Sequence, residues 1–151
     1  MARRTAILIA RLIFGGAFLM AACFKFADMG ATAGYIALID FPAPLFFAWV
    51  AAFFELGLTF AFLTGSFFSE AAVISAAYVL FLGFAFHGPS RWEENPMEFG
   101  FFVDHFTFIA GLLFAAVHGP GDRLALGWGI DWKTFRVTRA DPKTDLARRA
   151  P

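Results

Sequence analysis

Four apolar runs, each about as long as a membrane-crossing helix, leave this chain few ways to fold. They are Ala6–Ala27, Ala43–Thr64, Ala71–His87 and Glu98–His118. A helix needs about 20 largely apolar residues to cross a hydrocarbon core of ~30 Å, because each residue advances it by about 1.5 Å. Turn formers separate the runs: Gly30 with Pro42 and Pro44, then Gly65-Ser66, then Gly88-Pro89 through Pro96. The expected fold is all-α, a bundle of four transmembrane helices over residues 1–119 with a polar, basic tail over 120–151.

Composition excludes the soluble alternative. Hydrophobic residues make up 60% of the 151, and 23 are Phe, which leaves too little polar surface for a domain of this size in water. Arg3 and Arg4 precede the first run as they would a secretory signal, but that run is long, holds Arg11 and Lys25, and lacks a small-residue cleavage site. It is read as a retained helix. Between the first and second runs, Tyr35, Ile36, Leu38 and Ile39 give ATAGYIALIDFPAP one apolar side, which predicts a short interfacial helix stopped by Pro42 and Pro44.

The net charge is zero, yet the charges are sorted. Arg3, Arg4 and Arg11 lie at the start, and the segment from Pro120 holds seven Lys/Arg against four Asp. The loops after the first and third runs hold Asp28, Asp40, Glu93, Glu94 and Glu98, with Arg91 as their one cation beyond Lys25. An even number of spans puts both termini on one side, and the positive-inside rule makes that side the cytoplasm. The expectation is a bacterial inner-membrane protein with both termini inside, the lipid bilayer as its first partner. The lone Cys23 can form no internal disulfide, which excludes dithiol chemistry within the chain. No phosphate-binding loop, nucleophile motif or nucleic-acid surface is present in the sequence.

Membrane helices pack through small residues with a few polar groups between them. At 100° per residue the first run aligns Arg11, Gly15, Ala22 and Lys25, and the second clusters Ala48, Ala51, Ala52, Glu55 and Thr59. The third aligns Ala72, Ala76, Gly83 and His87, and the fourth Asp104, Gly111, Ala115 and His118. These stripes predict the inward faces, with Phe toward lipid. A charge within the span is costly unless paired, so Arg11 is expected to meet Glu55, and Lys25 to reach Asp28 or Asp104. Asp104 is expected to face the bundle interior on Lys25 or His87, with His105 turned to the edge or to a partner.

Where the third run ends and the fourth begins, His87, Glu98, Asp104 and His105 come together. Imidazoles and a carboxylate can hold a metal, but no fixed His spacing supports one, and none is assigned. Such a cluster suits a quinone headgroup, with His donating to a carbonyl oxygen and Asp orienting it or taking a proton. A purely structural hydrogen-bonded cluster is the competing reading.

The stretch RLIFGGAFLMAACFKF resembles the opening signature of the DoxX family of four-helix membrane proteins, through Arg11, Gly15, Phe18, Leu19 and Lys25. The similarity continues through the amphipathic loop, Glu55 in FFELGLTF, and Gly119, Pro120 and Gly121, with Asp131 lying later than the family's closing Asp. What the resemblance implies is an accessory membrane subunit of a larger redox complex, respiratory or photosynthetic, partnered by other membrane subunits and non-catalytic by itself. It equally admits a quinone-interacting oxidoreductase subunit of the thiosulfate:quinone oxidoreductase type.

Overall fold

The computed structural model of the protein describes residues 2–122, 124–131 and 136–139. Its spans are four long helices: α1 (Ala2–Ala27), α3 (Pro44–Thr64), α4 (Phe68–His87) and α5 (Met97–His118), each long and apolar enough to cross a membrane. The expected short helix is α2 (Met29–Ala37). The chain is a multi-pass helical membrane protein.

Local chemistry sets the boundaries. Asp28 caps α2, its carboxylate accepting from the Ala31 amide at 2.8 Å and so satisfying one of the free donors of the first turn. Pro44 opens α3 at the first helical position, where its missing N–H costs nothing. Gly65 closes α3 at φ +68°, a left-handed conformation that favours glycine.

α1 lies along α3 and α4 along α5. Between the two pairs, Phe14, Phe18, Phe62, Phe68 and Leu112 form the centre of the core. The Phe14 and Phe62 rings sit 5.6 Å apart, and Phe18 stacks on Phe62 at 5.7 Å. Small residues let the helices approach: Ala22, Ala48, Ala52, Ala72 and Ala76 are buried, as the stripes of the first three runs require. Phe24, Phe46, Phe53, Phe60 and Phe114 face outward, where lipid rather than water covers them. The fourth stripe fares differently. Leu112 is the buried residue of α5, and Asp104 and His118 are exposed.

The helices end differently at the two ends of the bundle. At one end α2 lies beside the start of α3 and the end of α4. At the other, residues after α5 return to the turn between α3 and α4, so the segment expected to be a polar tail begins as part of the bundle. The reason lies in helix geometry, which leaves the last carbonyls of α3 without intrahelical donors. The Thr64 carbonyl accepts from the Leu126 amide at 2.9 Å, and the Trp128 carbonyl accepts from the Phe67 amide ahead of α4. Glu70 accepts from the Ile130 amide at 2.8 Å. Strands β1 (Trp128–Asp131) and β2 (Arg136–Arg139) pair antiparallel beside this junction, Trp128 opposite Arg139. This hairpin is the departure from a purely helical expectation. Residues 123, 132–135 and 140–151 of the tail lie outside the described residues.

Candidate functional site

Two buried charges organise the interior, and they do not pair with each other. The Arg11 side chain is almost wholly buried, at 1% exposure. Among the described residues its guanidinium donates to four carbonyls: Nε to Phe62 at 3.1 Å, one Nη to Leu63 at 2.7 Å and Leu124 at 3.0 Å, and the other Nη to Pro120 at 3.3 Å. A planar five-donor fork suits this role, and a cation at a helix C-terminus also meets the negative end of the helix dipole. Gly65 completes the fit, since a Cβ there would come within 3.1 Å of the Arg11 guanidinium. Arg11 thus ties the end of α3 to the returning segment.

Glu55, 2% exposed, meets Lys25 instead. Lys25 Nζ donates to Glu55 Oε1 at 2.9 Å and lies 2.8 Å from Oε2, which has no well-directed hydrogen bond of its own. The Tyr78 hydroxyl donates to Oε1 at 2.9 Å. The expected Arg11–Glu55 pair is therefore corrected, and side-chain direction explains why. Helical side chains lean toward their own N-terminus. In the antiparallel pair α1 and α3, Lys25 leans down α1 while Glu55 leans up toward the start of α3, so the two converge. Arg11 leans away from Glu55, toward the end of α3. Lys25 is thereby unavailable to Asp28, which caps α2, or to Asp104.

The cluster at the α2 end is gathered in part. His87 Nδ1 meets Glu98 Oε2 at 2.5 Å, and the His87 and His105 rings lie 5.1 Å apart. His105 packs against α4 at Gly83, where a Cβ would come within 3.2 Å of the His105 Cβ; the glycine allows the approach. So His105, expected at the edge, faces the neighbouring helix. Asp104, expected inside, is exposed and makes no hydrogen bond or ion pair among the described residues. One residue of register decides this: the 100° between neighbours turns His105 to α4 and Asp104 away from it.

Two openings flank this centre. Beneath α2, between α3 and α4, lies a mostly apolar cavity of about 390 Å³, with Lys25, Tyr35, Tyr78, His87 and His105 among its lining. Tyr35 stacks on Phe86 at 4.7 Å at its border; burial, with Glu98 nearby, raises the Tyr35 pKa, so this phenol stays protonated at neutral pH. The second opening is a groove of about 500 Å³ between α1 and α5, with Glu55, Tyr78, His87 and His105 at its back and Asp104 on its wall.

The imidazoles carry the chemical interest. His105 Nδ1 lies 2.7 Å from the Phe101 carbonyl, an acceptor only, so Nδ1 bears the proton and Nε2 is left unbonded among the described residues. His87 presents Nε2 likewise, with Nδ1 turned to the Glu98 carboxylate. Neutral, each Nε2 accepts a hydrogen bond; protonated, it donates one. No group of three or more His, Cys, Asp or Glu poised for a metal occurs among the described residues. Sequence reasoning missed Tyr78. Its signal was a phenol, one of two Tyr in the chain, in an apolar span where a buried hydroxyl must find an acceptor.

A family model described as DoxX matches residues 6–88, over half the chain, from α1 to the end of α4. The match contains Arg11, Lys25, Glu55, Tyr78 and His87 and stops short of Glu98, Asp104, His105 and the returning segment. No curated protein and no solved structure matches the chain.

Proposed function

The chain belongs to the DoxX family, and from that premise we propose that it is an integral membrane accessory subunit of a larger redox assembly, one that binds a quinone headgroup beneath α2. The observation carrying the ligand reading is the cavity of about 390 Å³ lined by apolar side chains with His87 and His105 among them. Small-molecule sites are of this kind: roughly 300–1,000 Å³, mainly apolar, with a few convergent polar groups. The donor set fits. A quinone presents carbonyl acceptors and its reduced form hydroxyl donors, and an imidazole Nε2 serves either according to its protonation. A bound quinone would supply the two-electron, two-proton carrier chemistry. The protein's part is to orient the ring through His87 and His105, to hold their tautomers through Glu98 and the Phe101 carbonyl, and to keep water out with Tyr35, Phe86 and α2.

Removing one hydrogen bond of this kind costs about 1 kcal/mol, roughly fivefold in affinity. Purified protein is expected to retain quinone at a fixed ratio to protein, and His105→Leu to lower that retention about fivefold. Retention no greater than that of the surrounding lipid, or unchanged by His105→Leu, would reject the quinone.

The orientation proposed is both termini in the cytoplasm of a bacterial inner membrane. It is supported by the basic start and tail, and by Arg4 reaching Asp122 at 3.1 Å, which sets both segments at one end of the bundle. Cysteines placed singly at 91 and 94 in a Cys23→Ser background should react with an impermeant reagent in intact cells, and those at 3 and 143 should not. Labelling of 3 and 143 alone from outside would reverse the assignment.

A further inference from the structure

Asp104 is the eighth residue of α5, about 10 Å along the helix axis from its start at 1.5 Å per residue. Its carboxylate is exposed on the bundle surface within a membrane-crossing span. Ionisable groups at such positions are costly in lipid and normally face a partner or a wet cavity. This one has no bonded partner among the described residues. The neighbouring candidates are engaged, Lys25 by Glu55 and His87 by Glu98.

The surface around Asp104 has the chemistry of a helix interface rather than of a lipid face. Gly100, Asp104 and Thr107 share one side of α5, and all three are exposed. A Cβ at Gly100 would meet nothing within 4 Å. Across the groove, α1 offers Ala17 and Ala21. Small residues admit a close backbone, and a polar group among them acts as the attachment. Ten residues further on, Phe114 returns to the lipid-facing pattern at 69% exposure.

We propose that the groove between α1 and α5 is the docking surface for a transmembrane helix of a different subunit, which brings a Lys or Arg to Asp104. The partner's charge follows from complementarity with an unpaired carboxylate. That it is a different chain follows from the lysines and arginines of the four long helices: Arg3 and Arg4 open α1 at the opposite end, Arg11 is buried on carbonyls and Lys25 is held by Glu55, so a second copy offers no lysine or arginine at this depth. The proposal rests on the accessory-subunit reading and is independent of the quinone.

The test uses the full chain in its native membranes. A photoreactive benzoylphenylalanine replaces Phe101, an exposed aromatic that lines the groove, with Val117 on another face of α5 as control, and the cross-linked peptide is identified by mass spectrometry. The expected product is one adduct, from position 101 and not 117, on a membrane helix containing Lys or Arg. Asp104→Lys, a change at an exposed position that leaves the core intact, should reduce the adduct about tenfold or more, because like charges then face each other. Asp104→Asn should reduce it less. An adduct insensitive to Asp104→Lys, a peptide from a second copy of this chain, a helix without a cation, or lipid adducts alone would overturn the proposal. Native gels separate the two levels. If the chain sits in a larger assembly that Asp104→Lys leaves intact, and position 101 gives no adduct even with Asp104 in place, the docking face is wrong and the accessory reading stands. If the wild-type chain migrates only as the free protein in mild detergent, both fall.

Discussion

Lys25→Met should be among the most damaging single changes in this protein, lowering stability by about 3–5 kcal/mol, the usual cost of stranding one member of a buried ion pair. Glu55 is 2% exposed and keeps only the Tyr78 hydroxyl once the ammonium is gone. Its carboxylate must then take up a proton or draw water into the core. The reverse change, Glu55→Gln, should cost less. The amide still accepts from Tyr78, and Lys25, two residues from the end of α1, can swing its ammonium toward the headgroups. The double variant Lys25→Met/Glu55→Gln removes the buried charge altogether and should be more stable than Lys25→Met alone, a non-additivity expected of residues in direct contact. Thermal unfolding of the four proteins in one detergent decides the matter. If Glu55→Gln were as harmful as Lys25→Met, or the double variant no better than Lys25→Met, the pair would not be what holds α1 to α3 at this level.

Arg11→Leu should have a comparable effect through a different cause. It leaves the carbonyls of Phe62, Leu63, Pro120 and Leu124 without the guanidinium, and an unsatisfied backbone group away from water costs several kcal/mol. Water reaching this end of the bundle would offset part of that, so about 3 kcal/mol is the expected net loss. Arg11→Lys should rescue little, since an ammonium offers three donors at one point and cannot span carbonyls on two segments. The distinguishing measurement is local. Hydrogen exchange at the Leu126 and Phe67 amides, both bonded across the junction, should accelerate in Arg11→Leu well before the amides of mid-α4 do. Unchanged protection at those two amides would mean that the returning segment is held without Arg11.

The spans, their order and the short helix at one end were legible because each rests on a one-dimensional property: run length, a proline, a periodicity. Ala22, Ala48, Ala52 and Ala76 were legible for the same reason, since small residues at helical spacing mark a contact whatever the neighbour is. The pairing of charges was not, because it depends on how far one helix slides along another. Counting from the ends of the runs puts Arg11 about one helical turn from Glu55, within reach of its long side chain. In the structure Arg11 reaches Leu63 instead, eight residues further along α3, or about 12 Å, because α1 extends past α3 at that end. The Asp104 and His105 assignments failed on a finer scale. Asp104 lies on the small-residue stripe of the fourth run and His105 about 100° around from it, and only the approach of α5 to Gly83 determines which of the two turns to α4. The returning segment had no side-chain pattern to betray it, because its partners are main-chain groups left over at a helix end.

That last junction gives the protein a direction in time. Residues 120–131 are synthesised after all four spans, yet they supply two of the four carbonyls around Arg11 and the donor to Thr64 at the end of α3. During synthesis, α1 and α3 can associate, and Arg11 can reach Phe62 and Leu63, but the fork has open donors until α5 has been delivered across the membrane. Completion of the earliest helix therefore waits on some of the latest residues. A chain cut at Gly119 would carry every membrane span and still leave its first helix unfinished.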